Sequence, residues 1–321
     1  WRGFWVLMKI IEDRETPRVS IGLAVYNGEK YLAQAIDSIL AQKFADFELI
    51  LSDNASTDST EAICRSYAAR DARIRYYRNS ENIGGANNEN QTFRLSRGEY
   101  FRWAAYDDLL APEFLEKAVA VLDRDPSIVL CDSQVIDINE EGKTQRTTSQ
   151  NRMESPKASE RFSELADEKH DCNATYGLIR SAILRKTRLQ QNYTGSDRTL
   201  ICELSLYGPF FEIQEPLFYK RYHAQNIYVD MRARMAWFNP ALKGRVVFPY
   251  WMQFFDYLRI VFRVPLPVTE RIRCMLYMVR WFIVHGKKLL GDLILAILSL
   301  RYSPDELYRR RNKNANIYNW E

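Results

Sequence analysis

The sequence predicts an α/β protein, a sheet with crossover helices, followed by a separate helical extension. Three observations predict it. From Arg18 to Asp108, β-branched and apolar runs alternate with segments of helical period. Aspartates and turn residues stand where the apolar runs stop, which is where such a sheet holds ligands. Charge is also split: Ala236 to Glu321 carries 14 Lys plus Arg against 6 Asp plus Glu, a net of +8, although the whole chain is only +4.

The first strand lies in Val19-Ser-Ile-Gly-Leu-Ala-Val25 and ends at the turn signal Asn27-Gly28. Leu32, Ile36, Ile39 and Leu40 then recur at helical spacing, so Glu29 to Gln42 should lay one face on the sheet. Phe47 to Ser52 is a second strand running into Asp53-Asn-Ala-Ser-Thr-Asp58, and a helix from Ser59 to Ala69 takes Thr57 or Asp58 as its N-cap. Arg73 to Arg78 is a third strand, Gly85 to Leu95 a third helix, and Glu99 to Ala104 a fourth strand leading to Asp107-Asp108. A helix start, Ala111-Pro112-Glu113, follows. Alone, that Asp pair reads equally well as a solvated turn capping a helix.

In the second half, Ser127 to Asp137 is a strand, Asn139 to Arg161 a polar loop, and Tyr176 to Arg180 a further strand. Thr194-Gly-Ser-Asp-Arg198 opens a helix that buries Leu200, Ile201, Leu204 and Leu206. The expected divisions are an N-terminal extension (1–17), an α/β domain (18–235, with a first half to about 110 and a second beyond it) and the basic, aromatic-rich helical extension (236–321).

Four motifs in order, Val19 to Gly28, Leu49-Ile-Leu-Ser-Asp-Asn-Ala-Ser-Thr-Asp-Ser-Thr60, Asn82-Ile-Gly-Gly-Ala-Asn-Asn88 and the Asp107-Asp108 turn, resemble the family 2 glycosyltransferases. The resemblance covers about Arg18 to Asn226. It implies a GT-A fold, a Rossmann-like nucleotide-diphospho-sugar domain, and transfer of a sugar from a nucleoside diphosphate sugar to an acceptor hydroxyl. Inversion and Mg2+ or Mn2+ are usual. Many members read Asp-x-Asp-Asp at the metal turn, where this chain has Ala105-Tyr106-Asp107-Asp108, so the first carboxylate is missing. The family role of metal ligand then falls to Asp107, and Asp108 is expected to brace the turn or the donor sugar.

By the same resemblance Asp53 reads the nucleotide base, with Ala24 and Tyr26 as the other wall. The alternative for Asp53 is an Asx turn. Asn87 and Asn90 either contact the donor or cap a helix start, with donor contact favoured for Asn87. Asp197 resembles the general base, with Glu203 in reserve, since an inverting transfer needs a carboxylate to take the acceptor proton. Ser196-Asp197 is also an N-cap signal. In Glu215 to His223, which resembles the family segment ending in Arg-x-His, His223 implies a metal or diphosphate contact. Arg221 can neutralise phosphate charge, and Lys220 reads as solvated.

No Gly-x-x-x-x-Gly-Lys-Ser/Thr loop or Gly-x-Gly-x-x-Gly fingerprint occurs, which disfavours a P-loop NTPase or a dehydrogenase. A diphosphate would therefore be held by a metal and side chains, and a cation held by carboxylates offsets charge on the leaving phosphate. Five scattered cysteines without Cys-x-x-Cys spacing disfavour a disulfide framework or a zinc site, so a cytoplasmic protein is expected. Met8 reads as the natural start, since residues 1–7 are too short and lightly flanked for a signal peptide. The tail has no charge-free run long enough to cross a bilayer. It reads either as an interfacial hairpin at the inner membrane face or as a lid on the catalytic domain or a second subunit. The basic residues back onto aliphatic helix faces, so no nucleic-acid partner is expected. The expected donor is a nucleoside diphosphate sugar, a UDP-sugar first among them, and the acceptor a saccharide or lipid-linked saccharide in surface glycan assembly. The alternative is a non-catalytic nucleotide-sugar-binding subunit of the same fold.

Overall fold

The computed structural model describes residues 16–149, 153–167, 172–223, 238–242 and 247–302. Most of the expected N-terminal extension, including Met8, lies outside them. The first half follows the alternation. Strand β1 (Val19–Val25) leads to helix α1 (Leu32–Leu40), β2 (Phe47–Asp53) to α2 (Thr60–Arg70), and β3 (Ile74–Arg78) to α3 (Gly85–Arg94). Strand β4 (Tyr100–Ala104) ends at the Asp turn, followed by a two-residue strand β5 (Leu109–Leu110) and helix α4 (Phe114–Arg124). Then come β6 (Leu130–Ile138), β7 (Thr144–Thr148), α5 (Ala158–Ala166), β8 (Leu178–Arg180), α6 (Ser181–Leu184), α7 (Ser196–Tyr207) and β9 (Phe210–Arg221). Three helices close the described chain: α8 (Pro249–Arg263), α9 (Val268–Val284) and α10 (Gly286–Leu298).

The strands form one mixed sheet in the order β3-β2-β1-β4-β8-β6-β9-β5, with β7 pairing to β6. Pairs β1–β2, β1–β4 and β2–β3 are parallel, as crossover helices require. Alternating side chains feed two cores. Val19, Ile21 and Leu23 pack with Leu32, Ile36 and Leu115 on one face. Phe101 and Trp103 pack with Phe162, Leu200, Tyr257 and Trp281 on the other. Burying each such side chain contributes roughly 1.5–3 kcal/mol before chain entropy is counted.

The polar loop expected over 139–161 is not all loop. It contains β7, whose residues are exposed and polar with no apolar alternation to betray them, and the start of α5. Helix α2 has Ser59 at its cap position with no side-chain cap bond, and Asp58, one of the two residues expected there, serves its first N–H instead. Asp58 accepts from the backbone N–H of Thr60 at 3.0 Å and of Glu29 at 3.1 Å, and Glu29 accepts from the Ser59 N–H at 3.0 Å. The α2 start is thereby tied to the loop after β1.

The helical extension packs onto the catalytic domain as a wall. Tyr257, Ile260 and Val261 of α8 are buried, as are Cys274, Met278 and Trp281 of α9. The Trp281 indole N–H donates to the Ala166 carbonyl at 3.2 Å, at the end of α5. Asp292 of α10, fully buried, accepts from the Tyr250 N–H at 3.0 Å at the start of α8. The lid reading thus holds for the inner faces of these helices.

Candidate active site

The Asp turn is built by a strand far away in sequence. Leu109 and Leu110 of β5 pair antiparallel with Tyr219 and Phe218 of β9, which brings the end of β9 beside Asp107 and Asp108. Asp108 Oδ1 accepts from the Arg221 backbone N–H at 2.8 Å, so it braces the turn. Burial, then the neighbouring Asp107 charge, pushes the Asp108 carboxyl up to about 8, against the pull of that N–H. His223 Nε2 lies 2.9 Å from Asp107 Oδ2, with both side chains nearly buried. The two residues expected to hold a metal are therefore neighbours.

Arg221 is placed otherwise than expected. Its guanidinium donates to the carbonyls of Asp107 (2.9 Å), Asn139 (3.2 Å) and Glu140 (2.9 Å) and to Gln34 Oε1 (3.1 Å). It is 3% exposed and sits 4.7 Å over the Tyr31 ring, so in this arrangement it clamps the site from behind and offers no face to a phosphate. Lys220, read as solvated, donates to Asn173 Oδ1 at 2.9 Å.

Gly28 lies under the same turn. A Cβ there would meet Val25 Cγ2 at 2.5 Å and Tyr106 Cδ2 at 2.8 Å, so only glycine lets Tyr106, and with it Asp107, sit down on the β1 loop. Ala24 is half-buried near the end of β1, and Tyr26 is 41% exposed just beyond it.

Asp53 adopts the Asx-turn alternative. Oδ1 accepts from the Ser56 N–H at 2.8 Å, while Oδ2 accepts from the Tyr76 hydroxyl at 3.0 Å and from Arg78 at 2.6 Å. The parallel register sets Arg78 directly beside it. The Asp53 carboxylate is fully buried, and Arg78 is what faces outward there. Asn87 donates to the Ile83 carbonyl at 2.9 Å, a local bond within the start of α3. Its neighbour Asn88, which sequence reasoning passed over, is buried between Ser52 and Asn79 with bonds of 2.7, 2.8 and 3.0 Å. Asn90 exchanges two bonds with the Gln190 backbone, at 2.7 and 3.1 Å, joining the first half of the domain to the second.

Asp197 stands in the first turn of α7 and is half-buried. The cap of that helix is Gly195, in the left-handed region at φ 91°, and no side chain caps it. Asp197 is thus free of the capping role its sequence also suggested. Glu203, the reserve, is 2% exposed and faces away, accepting from the Arg188 N–H at 3.2 Å with Arg263 at 3.7 Å. It is a structural carboxylate of the α7–α8 contact.

Glu89 of α3 was missed, and its signal was a charge at the inner end of a helix that should pack. Burial pushes its carboxyl up to about 7, Asp197 adding to the push and the Gln190 side chain opposing it. The Tyr176 phenol is likewise pushed well up, first by burial and then by Glu89, Asp108, Asp107 and Asp197. One phenol therefore feels the Asp107-Asp108 turn and the α7 carboxylate together.

Arg102 of β4 was missed as well. It lies between the Phe114 and Phe218 rings at 5.0 and 5.2 Å, with Nε and Nη2 unbonded. Burial lowers it to about 10, opposed by Asp108, and a small cavity lined by Ser38, Arg102, Ala105 and Asp108 lies behind the turn.

The donor set fits a divalent cation in part. A carboxylate oxygen and an imidazole converge, but no group of three or more His, Cys, Asp or Glu among the described residues could hold an ion. Ions such as Mg2+ commonly take one or two carboxylates and complete their shell with substrate phosphates and water.

Known proteins resemble this chain in sequence and in fold. An uncharacterised glycosyltransferase of Rickettsia typhi is 38% identical over 129 residues, 39% of each chain. One of Methanocaldococcus jannaschii is 33% identical over 135 residues, 41% of this chain and 47% of that protein. The chain thus spans less than half the length of these relatives. Among solved structures, S. aureus TarS in complex with UDP-GlcNAc superposes with a TM-score of 0.63 at 16% identity, over 86% of this chain and 79% of that one. The mannosyltransferase PcManGT from Pyrobaculum calidifontis, in complex with GDP-Man and Mn2+, gives 0.56 at 15% identity over 98% and 87%. These likenesses establish the GT-A fold. The family profile described as Glycosyl transferase family 2 matches residues 20–188, more than half of the chain, and the protein belongs to that family.

Proposed function

We propose that the protein is an inverting glycosyltransferase that moves a sugar from a nucleoside diphosphate sugar to an acceptor hydroxyl, in the assembly of a polysaccharide or glycolipid. The observation that carries the reading is the Asp107–His223 pair beside Asp108 just past the carboxyl end of β4, together with Asp197, half-buried in the first turn of α7 and uncommitted to its own helix cap. A carboxylate so placed can take the acceptor proton as the new bond forms on the opposite side of the donor carbon.

Asp107 and His223 would hold Mg2+ or Mn2+, which when bound would offset negative charge on the leaving diphosphate. Asp108 and Arg221 keep Asp107 in place from behind. Asp53 serves the nucleotide side by holding Arg78 and the 53–56 turn, with Ala24 and Tyr26 opposite and Asn87 near the donor path. A UDP-sugar is the first candidate donor, because TarS, of the same fold, binds UDP-GlcNAc.

The test pairs a thermal-shift screen of UDP-, GDP- and dTDP-sugars, with and without manganese, with a transfer assay. Asp197→Asn should leave donor binding near the parent value and lower transfer by at least ~100-fold. Unchanged turnover in that variant removes Asp197 from the mechanism. A parent protein that binds a donor yet transfers to no acceptor or water favours the binding-subunit reading.

A further inference from the structure

The last three helices keep apolar surface on the side turned away from the catalytic domain. On α9, Val268, Ile272, Leu276, Val279 and Ile283 are between 54% and 72% exposed. At 100° per residue they fall in one stripe about 80° wide. On α10, Leu290, Leu293, Ile294 and Ile297 form a second stripe, 42% to 66% exposed. Isolated exposed leucines need no explanation, but a continuous double stripe in a water-facing position does.

The charges on these helices are sorted. The three acids turn inward: Asp256 is held by Arg188 and Tyr193, Glu270 accepts from the Ser159 N–H, and Asp292 is fully buried. Basic residues turn outward. Arg280 flanks the α9 stripe about 80° from its centre, Arg273, ion-paired with Glu270 at 2.6 Å, lies about 100° from it, and Lys287 flanks that of α10, all three exposed.

We infer that this face is a docking surface for an anionic lipid bilayer. An apolar stripe flanked by Lys and Arg, with no outward acid, suits the boundary between headgroups and acyl chains. No helix among the described residues is long and apolar enough to cross a membrane, so the helices lie in the interface. A second copy fits less well, since a twofold contact through the stripes sets one basic flank against the other.

The full chain is floated with vesicles of phosphatidylcholine alone or rich in phosphatidylglycerol, at low and high salt. Flotation is expected with the anionic vesicles, weakening as salt rises. Arg280→Gln with Lys287→Gln should weaken it roughly 30-fold, from the effect of two charges at such a surface. Leu276→Gln with Ile283→Gln, at exposed positions, should abolish it while leaving the thermal midpoint unchanged, so loss of binding cannot be loss of fold. Failure to float with any vesicle overturns the inference, whether the chain is then a monomer or a dimer by light scattering. Equal binding to neutral and anionic vesicles overturns it too.

Discussion

At the scale of single residues, the site is a set of carboxylates with separate tasks. Asp107 lies 2.9 Å from His223, and in the proposed function this pair would meet a cation. Asp107→Ala should weaken donor binding measured by calorimetry in manganese, and excess chelator should reproduce the defect in the parent. His223→Ala should give a smaller loss of the same kind. A parent that binds and transfers equally well in chelator removes the ion from the scheme. Glu89 has its carboxyl held up to about 7 by burial, with the Asp197 charge adding to the push, so it titrates where the enzyme would work. The acceptor KM should therefore show an inflection near neutrality that Glu89→Gln removes, whereas identical pH profiles would mean Glu89 is only packing. The residue scale is also where the sequence was hardest to read. Asp107 and His223 could be singled out because motif position and residue chemistry point the same way, and the structure sets them side by side. The Asp53 bond to Arg78 depends on the register of β2 against β3, and no spacing along the chain encodes register.

Among the elements, β6 and β9 carry the least obvious cost. Their parallel register sets Asp132 against Glu212, and burial followed by the Glu212 charge pushes Asp132 well above the usual carboxylate range. A group raised in the folded state binds its proton more tightly folded than unfolded. Its stabilising contribution is therefore present in acid and declines as pH rises from about 4 through the folded value. Asp132→Asn, neutral and of equal shape, should raise the melting temperature by roughly 2–4 °C at pH 8, with little change near pH 4. Parallel melting curves for parent and variant across that range would rule this out. The first four strands and their helices were readable from apolar runs alternating with segments of helical period, since the central strands are buried on both faces. Strand β7 was not, because an exposed polar strand has no period to show, and neither was the inward turn of every acid in the last helices.

Across the whole molecule, the site depends on contacts between distant parts of the chain. Asp107 and His223 are 116 residues apart, and Arg221 reaches Gln34 across 187. Arg221→Lys keeps the charge but cannot make four fixed donations, so it should cost at least ~2 kcal/mol in denaturant unfolding and weaken donor binding with it. Retained stability would show the clamp to be redundant. The same clamp bears on synthesis. As the chain leaves the ribosome, β1 to β4 can pair among themselves, since their three mutual parallel pairings are made within residues 19–104. The Asp107-Asp108 turn at that stage lacks Arg221, His223 and the β9 strand that seats it. Under the proposed function, donor affinity would therefore arrive only after residue 223 has cleared the exit tunnel, and a half-made chain would not withdraw nucleotide sugar from the pool that finished copies draw on.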